Sequence, residues 1–158
     1  MKRLLSKDKK RKSQPEKVES SEFPSSCGFI GGGAMAEALL SGFVSKSVFE
    51  NESITVSDVS DSRLSLMQDK YGCQVTTSNP KLLEHMEIIV LSVKPQILDK
   101  VLEEIAPHVT PNHLVVSVAA GVPIEKIEHK LGQGTRVVRV MPNTPSKIGA
   151  GASGFSLG

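Results

Sequence analysis

The sequence predicts an α/β chain folded as a doubly wound, mainly parallel sheet, preceded by a disordered basic tail. Three observations lead there. From Cys27 onward, strand-like and helix-like segments alternate, the pattern of a parallel sheet with crossover helices. Ile88-Ile89-Val90-Leu91 and Leu114-Val115-Val116 are continuous apolar runs, as in strands covered on both faces. The first apolar run passes directly into a glycine-rich turn and then into apolar residues at helical spacing.

The first strand is expected over 27–31, and it feeds Gly28-Phe29-Ile30-Gly31-Gly32-Gly33-Ala34-Met35-Ala36. A helix follows over 33–46, with Met35, Leu39, Leu40 and Phe43 along one face. Gly42 inside it costs helix propensity, which points to close packing there. Ile54-Thr55-Val56-Ser57 reads as the second strand, over 53–58, followed by a helix over 60–71. The third strand is expected at 73–76, with a helix at 79–86. The fourth spans 87–93, and Pro95 opens the next helix, 95–106, at a position where its missing N–H costs little. The fifth strand spans 113–118, its helix 123–131, and the sixth strand 136–140. Right-handed crossovers follow. Residues 1–26 form the tail and 27–158 a single domain.

The chain has 158 residues and a formal net charge of +2, enough length for one domain with a real core. Positive charge concentrates in the tail, at Lys2, Arg3, Lys7, Lys9, Lys10, Arg11, Lys12 and Lys17, so the remainder is mildly acidic. Few apolar residues and high charge make 1–26 a solvated segment. Its basic run Lys9-Lys10-Arg11-Lys12 leaves a nucleic-acid role as a distant reading. The tail has no apolar core of a secretory signal, and its lysines and acids do not suit a transit peptide. No apolar stretch is long enough to span a membrane. Cys27 and Cys73 suggest buried packing roles in a reducing compartment, the cytoplasm. His85, His108, His113 and His129 lack metal-ligand spacing with one another or with the cysteines, so no metal is expected.

The glycine segment fits Gly-x-Gly-x-x-Ala. In a Rossmann-type fold, Gly31 gives the tight turn, Gly33 lets phosphates approach the backbone, and Ala36 permits close helix–strand packing. The helix N-terminus beyond the turn suits a pyrophosphate. Asp58, ending the second strand, would accept the adenosine ribose 2′-OH and favour NAD, or else cap the next helix. Arg63 could hold a 2′-phosphate, so NAD and NADP both stay open. Ligands in such folds lie at the carboxyl ends of strands. There Lys94 would face phosphate or ribose, or be an exposed loop lysine. Small residues at Ala119, Ala120 and Gly121 leave room for a ligand. Asn143 offers a donor and an acceptor to a carboxamide, or is a turn residue between prolines.

Four segments in order resemble pyrroline-5-carboxylate reductase: Gly28 to Glu37, Leu91-Ser92-Val93-Lys94-Pro95-Gln96, Ser117-Val118-Ala119-Ala120-Gly121, and Arg139-Val140-Met141-Pro142-Asn143-Thr144-Pro145. The resemblance covers 27–158. It implies an oxidoreductase of proline biosynthesis that reduces the small-molecule substrate 1-pyrroline-5-carboxylate to L-proline with NADPH or NADH. It also implies that Ile30, Gly31, Gly32, Gly33, Ala34 and Met35 hold the pyrophosphate, and that Asn79 approaches the adenosine side. Val93, Lys94 and Pro95 would line the cofactor, Ala119 and Ala120 would back the nicotinamide half, and Asn143 would sit near it. Asp58 departs from the family members that prefer NADPH, where a serine is common. Members of the family continue into a helical, dimer-forming domain that brings a Ser/Gly-rich substrate loop. The chain therefore reads as a C-terminally truncated form, with a monomer open to it, whereas full-length relatives are homo-oligomeric. Two other readings stand beside this one: a relative of the β-hydroxyacid dehydrogenases, and a non-catalytic dinucleotide-binding module.

Overall fold

The computed structural model describes residues 23–142 and 153–158. Its strands are β1 (Cys27–Ile30), β2 (Ile54–Ser57), β3 (Gln74–Thr76), β4 (Ile88–Leu91), β5 (Leu114–Ser117), β6 (Arg136–Pro142) and β7 (Ser153–Leu157). Its helices are α1 (Ala34–Ser45), α2 (Asp61–Tyr71), α3 (Asn79–Leu83), α4 (Pro95–Ile105) and α5 (Ile124–Leu131). One sheet holds all seven strands in the order β3-β2-β1-β4-β5-β6-β7. Strands β1 to β6 pair parallel, and β7 runs antiparallel to β6. This is the doubly wound Rossmann-type architecture expected from the alternation of segments.

The register explains where a ligand can sit. Ile30 is level with Ser57 on one side and Leu91 on the other, and Leu91 is level with Ser117. The carboxyl ends of the four central strands therefore finish along one edge. The sheet order reverses between β1 and β4, which opens a crevice at that edge.

Each face of the sheet is covered. Phe29, Val56 and Val90 pack with Leu40 of α1 and Met67 of α2. Ile30, Ile89, Leu91 and Val115 pack with Leu82 of α3, Leu102 of α4 and Ile127 of α5. The continuous apolar runs arise from this double coverage. Cys27 and Cys73 are both buried free thiols in the α1–α2 layer, and burial pushes the Cys27 thiol up to about 12.

Four details depart from the sequence reading. Ser25 and Ser26, assigned to the tail, are tied to the domain: Ser25 donates through N and Oγ to Glu87 Oε2, and Ser26 Oγ accepts from Glu87 N. The rest of the tail up to residue 22 lies outside the described residues. Helix α3 stops at Leu83, although the apolar spacing runs on to Met86, because the chain must turn to enter β4. Strand β7 has no counterpart in the sequence reading; Gly154, of a residue type that strands disfavour, sits inside it. Gly42 is not a close-packing position: a Cβ there would meet nothing within 4 Å.

Close approach occurs instead at Gly28. A Cβ at this central-strand position would overlap Leu82 Cδ2 and lie 2.9 Å from Leu82 Cγ and Met86 Cγ. Helix α3 thus rests directly on the backbone of β1. Gly28→Ala is expected to destabilise the fold by about 1–3 kcal/mol through overpacking, measured as a lowered urea midpoint with an unchanged slope.

Candidate functional site

The site begins with the backbone at the end of β1. Gly31 turns the chain at φ +96°, and a Cβ there would sit 2.9 Å from Val93 Cγ1 and 3.1 Å from the Ser92 carbonyl. Only glycine meets both conditions without strain. The turn is braced from β1's two neighbours in the sheet. Gly31 N donates to Ser57 O at 2.8 Å. The Ser92 hydroxyl lies 3.0 Å from Ile30 O and 2.8 Å from Gly31 O, shared between them as a donor. Gly33 then starts α1 as its N-cap, with no side-chain cap. The first-turn N–H groups of α1 are left for an anion, with the positive end of the helix dipole behind them. By contrast, α2 is capped by Ser60, whose hydroxyl accepts from Arg63 N. A Cβ at Gly33 would meet nothing within 4 Å, so the ground in front of this N-terminus is open.

Gly32, between the two, is pinned by charged side chains. Its N–H donates to Asp58 Oδ2 at 2.7 Å, and its carbonyl accepts from Arg63 Nε. The Arg63 guanidinium also pairs with Glu37 Oε2 on the first turn of α1. Glu37 Oε1 accepts from Lys70 Nζ at 2.8 Å and from Tyr71 Oη at 3.2 Å. The hydrogen bonds from Lys70 and Arg63 bring the Glu37 carboxyl down from 4.5 to about 2. The helices α1 and α2 are thereby linked through the glycine turn.

A cavity of about 270 Å³ opens beside the turn. Ile30, Gly31 and Gly33 form one wall, Ser57, Asp58 and Asn79 a second, and Ser92, Val93 and Lys94 a third. Asn79 is held in place: its Oδ1 accepts from Ser57 Oγ at 2.7 Å and its Nδ2 donates to Glu104 at 3.0 Å. Two apolar side chains stand open at the mouth, Val59 at 96% exposure and Ile97 at 48%. An anion-binding backbone, a carboxylate, a lysine and apolar flanks suit a phosphorylated nucleoside.

Comparison with known proteins agrees with this geometry. Residues 26–121 match the family described as NADP oxidoreductase coenzyme F420-dependent. The chain belongs to this family. A pyrroline-5-carboxylate reductase of Methanosarcina acetivorans is 42% identical over 131 residues, covering 83% of this chain and 48% of the relative. Pyrroline-5-carboxylate reductase 3 of Rattus norvegicus is 39% identical, over 85% of this chain and 49% of its own length. Among solved structures, a pyrroline-5-carboxylate reductase from Coxiella burnetii superposes with TM-score 0.81 at 36% identity, over 85% of this chain and 50% of that one. The Plasmodium falciparum enzyme, solved with NADP bound, gives TM-score 0.75 at 30% identity, over 85% and 48%. The chain spans about half the length of the curated relatives it matches.

Within this NADP oxidoreductase domain, the residues singled out from the sequence separate into groups. Ile30, Gly31, Gly33, Asp58, Asn79, Val93 and Lys94 all line the one cavity. Gly32 lies beneath it with its N–H already taken by Asp58. Ala34 and Met35 form the first turn of α1, and Pro95 the first turn of α4. Asp58 is not the cap of α2; that position is Ser60, whose N–H donates to Asp58 Oδ1 at 2.9 Å. An ionised carboxylate keeps further lone pairs after these two bonds, so Asp58 retains capacity for a ribose hydroxyl. Ala119 is buried in the apolar layer of α4 and α5, so its methyl group packs the core, and Ala120 beside it is exposed. Asn143 lies outside the described residues. The sequence reading gives Ser57, Ser92 and Thr77 no role of their own, although all three follow from the strand-end rule, since each ends or just follows a strand. Val59 and Ile97 carry no comparable signal, because an exposed aliphatic residue looks like any other.

The Glu37 contacts predict an acid limb in stability. The folded-state pKa is depressed, so the contribution is complete above about 4.5 and is lost as pH falls toward about 2. As a part-exposed ion pair it is worth about 0.5–1 kcal/mol. Urea denaturation across that range should show a shallower pH slope for Glu37→Gln than for the parent chain.

Proposed function

We propose that this chain is the dinucleotide-binding part of a pyrroline-5-carboxylate reductase. In that role it serves proline synthesis through NAD(P)H-dependent reduction of 1-pyrroline-5-carboxylate to L-proline. The observation that carries the reading is the uncapped start of α1, with open ground before Gly33 and the Gly31 turn beneath it. The residues present fit a dinucleotide. Backbone from Ile30 to Met35 would take the pyrophosphate, with Ser92 holding the turn in shape. Asp58 would accept from the ribose, with Asn79 beside it, and Lys94 would add positive charge from the β4 side. The exposed side chains of Val59 and Ile97 would flank the adenine. Ala119 and Ala120, beyond β5, would back the nicotinamide half and Asn143 would sit near it, as the family resemblance implies. The nicotinamide supplies the hydride when bound; the chain's own task is to bind and orient. The named relatives support the substrate, a small cyclic imino acid. The cytoplasm, a reducing compartment, suits two buried free thiols.

Purified chain should bind NADPH or NADH in a fluorescence titration. No binding of either dinucleotide would overturn the reading, and oxidation of the bound dinucleotide on addition of 1-pyrroline-5-carboxylate would show that the chain forms a substrate site as well. A second test isolates the turn. Gly33 has φ −69° and open space around its Cβ position, so Gly33→Val should leave the chain folded, with only a small drop in melting temperature from the poorer N-cap. Its side chain would occupy the pyrophosphate position, and affinity for the dinucleotide should fall by at least ~tenfold, about 1.4 kcal/mol, in a fluorescence titration.

A further inference from the structure

We propose that Glu37 is a cofactor-specificity residue: by engaging the Arg63 guanidinium it withholds that cation from the 2′-phosphate of NADPH and biases the site toward NADH. The inference rests on the dinucleotide reading of the cavity. The ribose 2′ substituent is read at the end of β2, where Asp58 sits. Arg63 is next to that place, because both side chains contact Gly32. Asp58 Oδ2 accepts from the Gly32 N–H, and Arg63 Cγ and Asp58 Oδ2 lie 3.3 Å and 3.4 Å from where a Gly32 Cβ would be.

A 2′-phosphate brings close to two negative charges to a position already bordered by the Asp58 carboxylate. Like charges at that range oppose binding unless a cation intervenes. Arg63 is suited to the task, with a planar fork that binds phosphate in a bidentate way. It is committed elsewhere. Its Nε goes to the Gly32 carbonyl and one terminal nitrogen to Glu37 Oε2. Glu37 is itself fixed by Lys70 and Tyr71 on its other oxygen, so it does not follow Arg63 outward. A guanidinium has five donors; with the Glu37 contact removed, the end of Arg63 is released to turn toward the ribose side while Nε keeps the glycine turn. Glu37 acts on the ligand at one remove: it holds Arg63, and Arg63 would otherwise meet the phosphate.

The test is a fluorescence titration of NADH and NADPH into the parent chain, Glu37→Ala, Glu37→Gln and the double variant Glu37→Ala/Arg63→Ala, with melting temperatures alongside. Glu37→Ala should raise the NADPH/NADH affinity ratio about tenfold, with NADH affinity nearly unchanged. Glu37→Gln, which keeps the shape without the charge, should move the ratio in the same direction by less. The double variant should lose the gain, because the cation is gone. A ratio that stays fixed in both single variants, or NADPH binding that weakens, overturns the proposal. Equal weakening of both dinucleotides also overturns it, since that is the mark of a loosened turn alone. If the parent chain binds neither dinucleotide, the site reading fails and this inference fails with it; binding with an unmoved ratio removes only the role of Glu37.

Discussion

The turn at Gly31 is the constraint from which the rest of the site follows. The backbone there is left-handed at φ +96° and pressed against Val93 and the Ser92 carbonyl. A side chain would strain the dihedral and collide with the β4 end at once. Because the chain reverses so tightly, α1 begins immediately beyond the sheet, above the crevice between β1 and β4. Its first N–H groups then meet open space instead of a capping side chain. The neighbouring strands contribute the bracing: β2 through the Ser57 carbonyl, β4 through the Ser92 hydroxyl. Parallel order makes this possible, since it brings three strand ends to the same level.

Charge then acts on the turn from the α2 side. Asp58 holds the Gly32 N–H and Arg63 holds its carbonyl, so the two peptide units flanking the Gly32 Cα are gripped by opposite charges. The grip spares the N–H groups beyond it, at the start of α1. The anion site is thus shaped by ionic contacts placed beneath it, and the opening above stays clear. Such contacts are weak individually at a surface; their effect here is geometric, since they set where the peptide points.

Much of this was legible in the sequence because the fold is written in local patterns. Ile88 to Leu91 and Leu114 to Val116 announce doubly covered strands, and Gly31 and Gly33 mark a turn whose physics excludes larger residues. The strand-end rule then located Asp58, Val93 and Lys94 beside one another from positions far apart in the chain, and the family resemblance alone added Asn79. What escaped was set by tertiary contact. Gly28 reads as an ordinary strand glycine until Leu82 is seen lying across it. Gly42 invites a packing explanation that the space around it does not support. Glu37 and Lys70 look like solvated charges on separate helices, and nothing in their spacing reveals that they meet at one carboxylate. Strand β7 draws its identity from pairing with β6 and very little from its own composition.

The two buried thiols give the α1–α2 layer a built-in reporter. Cys27 sits on the central strand β1, and Cys73 precedes β3 at the sheet's outer edge. A thiol held in its protonated, desolvated form is a poor nucleophile, so alkylation must wait for the surrounding layer to open. Modification at the edge position follows fraying of β3 and α2, whereas modification at Cys27 requires separation of strands that β2 and β4 hold on both sides. The difference between the two labelling rates is therefore a direct reading of how cooperatively the domain breathes.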